Sequence, residues 1–384
     1  MTKSVYIVAV ESSADHVGAG LIKSIKKKSS GINLLGIGGP FMENEGVISR
    51  IDITGLAIIG FTEALKSYPR IMISIKNTVN DILLRSPDVV VLIDSYGFMI
   101  RVAKKLKKSG YKGKIVKYIA PQVWAMRRNR SKVLSRYTDH LLSIHDFESH
   151  YFENNGLSVT YVGNPVFDMK NIFQKKDEAY ENLGISPSDK VLAVFFGSRS
   201  SEINNLIEPF IETVCKLIAI WPDLRVISPV SRAVIKDIEL AKVHDKRLAS
   251  ITFVEEKFKD SVFNISTAAL ACSGTVTTQL ALAGVPTVVA YRLNPITFII
   301  AKFLYKLRYI SLVNISAEAE LMPEFLQKDV NSNTLSKALS LYIQNEELRD
   351  RISAKLSHQI IRMRPKSKLG NNLAAEKILE FVKN

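Results

Sequence analysis

Five loops hold the side chains best suited to move a proton or grip an anion. Glu11-Ser-Ser-Ala-Asp15-His-Val-Gly18-Ala-Gly20 sets two carboxylates and two hydroxyls beside a glycine pair. Such groups can hold sugar hydroxyls or accept a proton, and Ser13 or Asp15 can equally cap the helix that begins there. Asp94-Ser-Tyr-Gly-Phe98 follows an aliphatic run. An acid at the end of a buried strand serves as a general base or bonds loop amides, and the sequence alone leaves both open. Ala120-Pro-Gln-Val-Trp124-Ala-Met-Arg127-Arg-Asn-Arg130 brings an aromatic and arginines toward the same region, with core packing the plain alternative for Trp124. Gly197-Ser198-Arg199-Ser-Ser-Glu202 and Ala271-Cys-Ser273-Gly274-Thr275-Val-Thr277-Thr-Gln279 are small polar turns that open helices. Helix N-terminal amides and the positive dipole end suit a phosphate, and Arg199 adds a forked donor. Two such turns together suit a diphosphate and a ribose. Neither is a Walker A loop, and no G-x-G-x-x-G fingerprint or G-x-S-x-G elbow is present.

These loops need elements to carry them. Short apolar runs alternate with amphipathic stretches, the pattern of an α/β chain. Strands are expected at Val5–Val10, Asn33–Ile37, Val89–Ile93, Lys114–Ile119, His140–Ile144 and Thr160–Val162. A second series is expected at Val191–Phe195, Arg225–Pro229, Ile251–Phe253, Ala268–Ala271 and Thr287–Ala290. Helices are expected at Gly18–Lys28, Ile71–Leu84, Ile100–Lys108, Ile203–Ala219 and Thr277–Ala283. Two successive series predict two Rossmann-like domains facing a cleft, joined in the polar stretch Lys170–Lys190. In such sheets ligands gather at the carboxyl ends of the strands, which is where the five loops fall.

The 384 residues carry 52 basic and 37 acidic side chains, a net charge of +15, with 47% apolar and 23% charged residues. That composition excludes a disordered chain. Two cysteines, Cys215 and Cys272, support no disulfide framework or four-cysteine zinc site and fit a reducing cytoplasm. The N-terminus does not read as a signal peptide, and no uninterrupted apolar run of about 18 residues suggests a spanning helix. His145 and His150, near Asp146 and Glu148, read as surface groups rather than metal ligands. The charge is concentrated. Between Asp94 and Asp139 no acid occurs, while Arg101, Lys104, Lys105, Lys107, Lys108, Lys112, Lys114, Lys117, Arg127, Arg128, Arg130, Lys132 and Arg136 do. A solvated helix face explains any one of them. The cluster points to an anionic partner, and a nucleic acid is disfavoured because few aromatics interleave beyond Tyr111, Tyr118 and Trp124.

Taken in order, the loops resemble those of the lipid-A-disaccharide synthases, glycosyltransferase family 19, over essentially the whole chain. Ala9-Val-Glu-Ser-Ser-Ala-Asp15, Gly36-Ile-Gly-Gly-Pro40 with Glu45-Gly46, Ile58-Ile-Gly60-Phe-Thr-Glu63 and Pro121-Gln-Val-Trp124-Ala carry the resemblance in the first half. Gly197-Ser-Arg199, Ser273-Gly-Thr275, Ala290-Tyr-Arg292, Ser311-Leu-Val-Asn314, Glu320, Pro323-Glu324 and Gln327 carry it in the second.

The resemblance implies a glycosyltransferase B-type fold. Residues 1–168 would form the acceptor and membrane side, with a C-terminal helix at 362–384 packing back on it, and 169–361 the donor domain. It implies transfer of 2,3-diacylglucosamine from UDP to 2,3-diacylglucosamine 1-phosphate, with inversion, giving the β-1,6 disaccharide. No metal or other cofactor is implied, and the protein would lie peripherally on the cytoplasmic face of the inner membrane, with a homodimer left open. Asp94, Asp15 and Glu11 are the catalytic candidates. Gly197, Ser198, Arg199, Ser273, Gly274, Thr275, Gln279, Arg292, Asn314 and Glu320 are the donor-binding ones. Lys104, Lys105, Lys107, Lys108, Trp124 and Arg127 face the membrane or acceptor, and the apolar stretches Ile58–Leu65, Ile71–Leu84 and Ile296–Leu304 would meet acyl chains or pack in the core.

The chain departs from the family pattern at several positions. The aspartate that the family places after Asp94 is Gly97, two family glycines are Val10 and Ala14, a histidine is Asn164, a glutamate is Gln279 and an arginine is Ala319. Either Asp94 or Asp15 then supplies the carboxylate, or the chain is a UDP- or lipid-binding relative with impaired turnover. Another sugar-nucleotide enzyme, such as a UDP-N-acetylglucosamine epimerase, is the remaining alternative.

Overall fold

The computed structural model describes residues 3–51, 61–124, 128–168, 176–231, 234–293, 308–365 and 370–383, apart from the side chains of residues 12, 61–67, 168 and 383. The chain divides into two compact units, Met1–Asp168 with Arg364–Asn384, and Met169–Met363.

In the first unit six strands alternate with helices: β1 (Ser4–Val8), α1 (Ser12–Lys28), β2 (Asn33–Ile37), α2 (Pro40–Asn44), α3 (Phe61–Arg85), β3 (Val89–Ile93), α4 (Tyr96–Lys108), β4 (Lys114–Tyr118), α5 (Asn129–Tyr137), β5 (His140–Ser143), α6 (His150–Glu153) and β6 (Val159–Tyr161). All neighbours pair parallel, in the order β2-β1-β3-β4-β5-β6. A parallel sheet covered on both faces needs unbroken apolar strands. That is why β1 and β3 read as continuous runs and are wholly buried. One face packs on α1 through Leu21, Ile22 and Ile25, and on the C-terminal helix Gly370–Lys383 through Ala374, Ala375 and Ile378. The other packs on α3 and α4 through Ile75, Ile82, Met99, Val102 and Leu106. The returning C-terminal helix lies so close to α1 that a Cβ on Gly20 would come within 2.4 Å of the Asn371 amide.

The second unit repeats the plan with α7 (Lys176–Leu183), β7 (Val191–Phe195), α8 (Ser200–Ile220), β8 (Arg225–Val230), α9 (Ile235–His244), β9 (Thr252–Glu255), α10 (Lys259–Ile265), β10 (Ala268–Cys272), α11 (Thr275–Leu282), β11 (Thr287–Tyr291) and β12 (Glu324–Leu326). Its sheet is also parallel, in the order β12-β11-β10-β7-β8-β9. Strand β12 is absent from the sequence reading, because three residues beginning with a glutamate carry no strand pattern.

Each sheet has one place where the strand order reverses: between β1 and β3 in the first unit, and between β7 and β10 in the second. Helices leaving adjacent strands there go to opposite faces, so a crevice opens beyond the strand ends, the usual ligand position in open α/β sheets. Glu11 follows β1 and Asp94 follows β3, while Gly197 follows β7 and Ser273 follows β10. The two chemistry-bearing loops of each unit thus lie side by side at its reversal point.

Candidate active site

In the first unit, β3 ends in two residues in the left-handed region, Asp94 at φ 51° and Ser95 at φ 33°. Side chains with a Cβ pay for this conformation, and such strain gathers at functional sites. Asp94 is half-buried, and among the described residues its carboxylate accepts no hydrogen bond. The Ser95 hydroxyl donates to Glu11 Oε1, which links the loops after β1 and β3. A carboxylate at a strand end with its oxygens uncommitted is equipped to accept a proton.

Asp15 is different. Its carboxylate is 1% exposed and accepts N–H bonds from Gly39 at 2.8 Å, Phe41 at 2.9 Å and Met42 at 3.1 Å. It therefore caps α2 and fixes the loop after β2. This corrects the catalytic expectation for Asp15, since a buried carboxylate holding three amides has no face left for an acceptor hydroxyl. The expectation that Asp15 caps the helix it opens is corrected as well: α1 has no side-chain cap, and the helix Asp15 caps is α2, from a remote position in sequence.

Gly97 lies exposed in the first turn of α4, its carbonyl accepting a bond from Arg101 Nη1 at 2.5 Å. A Cβ there would meet only that guanidinium nitrogen, at 3.6 Å. Nothing steric demands glycine at the position.

Trp124 is half-buried, edge-on to Phe147 and His145 at 5.4 and 6.5 Å. Its indole N–H has no partner in hydrogen-bond geometry, yet lies near enough to the Glu148 carboxylate to help hold its pKa down. His145 is buried, which corrects its surface reading, whereas His150 is exposed; the neighbouring Glu148 is buried too. Burial pushes the Glu148 carboxyl up to about 7, against bonds from the Ile144 and His145 amides, and pushes the His145 imidazole down to about 4. Arg127 lies outside the described residues, as do the stretch Ile296–Leu304 and positions 58–60. Within Ile71–Leu84, Ile75, Val79 and Ile82 are core, whereas Ile73 and Leu84 are exposed.

The basic segment is not one face. Lys104 and Lys108 are exposed and Lys105 half-exposed on α4, whose apolar side faces the core. Lys107 instead pairs with Asp139 at 2.8 Å, so the expectation of a free membrane-facing charge is corrected there. Lys117 is buried beneath the sheet's carboxyl end. Sequence reasoning counted it as surface charge, and only its position inside a strand, flanked by Val116 and Tyr118, hinted otherwise.

In the second unit, Gly197 turns β7 into α8 with φ 120°, and a Cβ there would collide with the Glu202 side chain at 2.5–2.6 Å. The Glu202 carboxylate, 8% exposed, accepts the Ser198 N–H at 2.9 Å and holds Arg199 Nη1 at 3.2 Å. A carboxylate thus occupies the amide and guanidinium that the sequence assigned to a phosphate. The Ser198 amide is engaged rather than free, and Arg199 is exposed and aimed along the turn. After β10, Gly274 and Thr275 are exposed at the start of α11, and Gln279 is buried one turn on. Ser273 Oγ donates to Ile310 O at 3.3 Å.

Several further residues serve the scaffold. Asn314 is fully buried and donates to Met322 O and Glu324 Oε1 while accepting from the Leu321 and Met322 amides, at 2.7–3.0 Å. All four hydrogen-bonding positions of its amide are used. It frames the loop before β12, which corrects the expectation of a direct donor contact. Arg292 Nη2 donates to Val330 O at 2.6 Å, Gln327 brackets Leu293 through both its amide atoms, and Glu320 is exposed.

Among the described residues no helix is long and apolar enough to cross a membrane, and no group of three or more His, Cys, Asp or Glu side chains is placed to hold a metal ion.

Solved structures share this arrangement. A UDP-N-acetylglucosamine 2-epimerase, so named as putative, from Listeria monocytogenes aligns with TM-score 0.66 at 15% identity over 100% of this chain and 96% of that one. The Methanocaldococcus jannaschii UDP-GlcNAc 2-epimerase in complex with UDP-GlcNAc and UDP aligns with TM-score 0.62 at 15% identity, covering 100% and 99%. At that identity the likeness establishes the fold, that of B-type glycosyltransferases.

Sequence similarity is more specific. The model of the lipid-A-disaccharide synthetase family matches residues 5–379. The chain is 35% identical to the lipid-A-disaccharide synthase of Rhodospirillum centenum over 90% of this chain and 86% of that one. It is 34% identical to that of Paramagnetospirillum magneticum over 99% and 97%. Full-length correspondence of this kind makes the protein a sugar-nucleotide-dependent glycosyltransferase of lipid A disaccharide synthesis. The chain belongs to the lipid-A-disaccharide synthase family.

Proposed function

We propose that the second unit binds the UDP-sugar donor and the first the lipid acceptor, and that Asp94 is the general base. The observation that carries the base assignment is the uncommitted, half-buried Asp94 carboxylate in a left-handed turn at the sheet's reversal point. The acceptor is 2,3-diacylglucosamine 1-phosphate. Its 6-hydroxyl attacks the anomeric carbon of UDP-2,3-diacylglucosamine, the bond to the UDP oxygen breaks, and the configuration inverts. Asp94 takes the hydroxyl proton, and Glu11, linked through Ser95, orients the acceptor. The departing diphosphate takes the place of the Glu202 carboxylate on Arg199 and gains the N-terminal amides of α8 and α11. Gln279 serves the ribose.

Exposed Lys104 and Lys108 and half-exposed Lys105, with Trp124 near the acceptor, hold the first unit against an anionic membrane on its cytoplasmic face. Each such charge contributes about 1 kcal/mol to that attraction. Neutralising these three lysines is expected to weaken pelleting with anionic vesicles roughly a hundredfold while UDP binding stays intact. Pelleting indifferent to salt and to anionic lipid contradicts the membrane role.

The activity itself is tested by supplying UDP-2,3-diacylglucosamine with and without the monophosphate acceptor. Disaccharide and UDP are expected only when both substrates are present. UDP binding without product at high enzyme concentration favours the binding relative that the change at Gly97 would suggest.

A further inference from the structure

Lys117 lies inside β4 and is 1% exposed. Lysine is almost never buried so fully without partners. Its Nζ donates to the carbonyl oxygens of Asp94 at 2.6 Å, Tyr118 at 3.0 Å and Leu92 at 3.2 Å, which uses all three ammonium N–H groups. The three carbonyls surround the place where β3 and β4 stop pairing. There the backbone turns left-handed at Asp94, at Ser95 and at Ile119, the last a β-branched residue at φ 68°. Such conformations persist only where neighbours over-determine them. The Asp94 amide, bonded to Tyr118 O at 2.9 Å, is a last ladder contact, and beyond it the ammonium stands in for the missing rungs.

We propose that Lys117 is a positioning residue for the transfer reaction: its ammonium clamps the strained strand end that aims Asp94 and, through the Ser95 hydroxyl, Glu11. The proposal rests on the reading of Asp94 as base. The titratable groups around Lys117 are Asp94 after β3, Glu11 after β1, and Glu148 after β5. Burial pulls the Lys117 amine down to about 7, against the pull of Asp94, Glu11 and Glu148, which favour its charge. In its ammonium form Lys117 sets a charge beside these carboxylates and donates to all three carbonyls, whereas a neutral amine would donate to only two.

Lys117→Met keeps the apolar stem and removes charge and donors. Turnover is expected to fall at least tenfold with the donor KM unchanged. The acidic limb of the kcat/KM profile should rise by roughly one pH unit, because the carboxylates lose a neighbouring cation. Lys117→Arg, which retains a charge, should bring the limb back toward its wild-type position. An unmoved acidic limb, with activity lost only in proportion to unfolded protein, overturns the proposal, since a merely structural lysine would behave so.

A test on folded protein is available if Lys117→Met does not fold. In lysine-labelled enzyme followed by NMR, the Lys117 titration midpoint should drop in Asp94→Asn, where a charge favouring the ammonium is gone. An unmoved midpoint also overturns the proposal. Full turnover by Asp94→Asn breaks the base assignment instead, whereas an inactive Asp94→Asn beside an unmoved limb in Lys117→Met breaks only the clamp.

Discussion

The two reversal points are built with opposite charge. In the first unit a loop of carboxylates, Glu11 and Asp94, lies over a buried cation, Lys117. In the second a loop of amides and a guanidinium, Ser198 and Arg199, lies over a buried anion, Glu202. Each buried group hydrogen-bonds the backbone of its loop. Lys117 gathers carbonyls around left-handed residues, and Glu202 gathers a turn that only glycine can enter at position 197. The same parallel-sheet plan therefore yields one edge suited to accept a proton and another suited to receive an anion. What differs is the sign of the charge placed under the strand ends.

The largest effect expected from this contrast is in the first unit. Asp94→Asn keeps the shape and removes the base, and turnover should fall by about 10²–10⁴-fold, measured as disaccharide formed under saturating substrates. Retained turnover would move the base elsewhere on that edge, with Glu11 the remaining candidate. In the second unit, Arg199→Ala removes the forked donor. UDP affinity by calorimetry should weaken roughly 10–100-fold, the worth of a charge-assisted hydrogen bond. Unchanged affinity would mean that Arg199 stays with Glu202 when donor binds, and the parallel between the edges would fail. The smallest effect sharpens the first edge. Gly97→Asp places a carboxylate where only Arg101 Nη1 is near, so the fold should accept it. Turnover is expected to rise by about threefold to tenfold if a second carboxylate assists the first. A fall in turnover would show that the exposed first turn of α4 must stay open.

Much of the scaffold was legible. Val89–Ile93 and Val191–Phe195 form strands within the expected bounds, because parallel strands buried on both faces must be continuous aliphatic runs, and the partly buried edge strand Asn33–Ile37 also keeps its expected bounds. The two series of elements likewise announce two sheets. The loops after β1, β3, β7 and β10 were identifiable as strand-end turns. That they meet in pairs at reversal points was not, since strand order depends on which side each crossover takes.

Side-chain roles were less legible wherever the partner is remote in sequence. Asp15 finds its amides at residues 39–42, and Asn314 finds its partners seven to ten residues on. Both residue types signal polarity, and polarity serves a loop as readily as a ligand. Lys117 was hidden by its type, since a lysine in a basic segment reads as surface until a strand is seen to carry it inward. Of the charge cluster, exposed Lys104 and Lys108 keep the reading of a basic face, while Lys107 and Lys117 leave it for an ion pair and a backbone clamp.

The division of labour between the two edges is tested most directly by titrating UDP into the folded Asp94→Asn protein. The account predicts wild-type UDP affinity in a protein that no longer makes disaccharide, because donor binding belongs to the other unit. Loss of UDP affinity in that variant would contradict it.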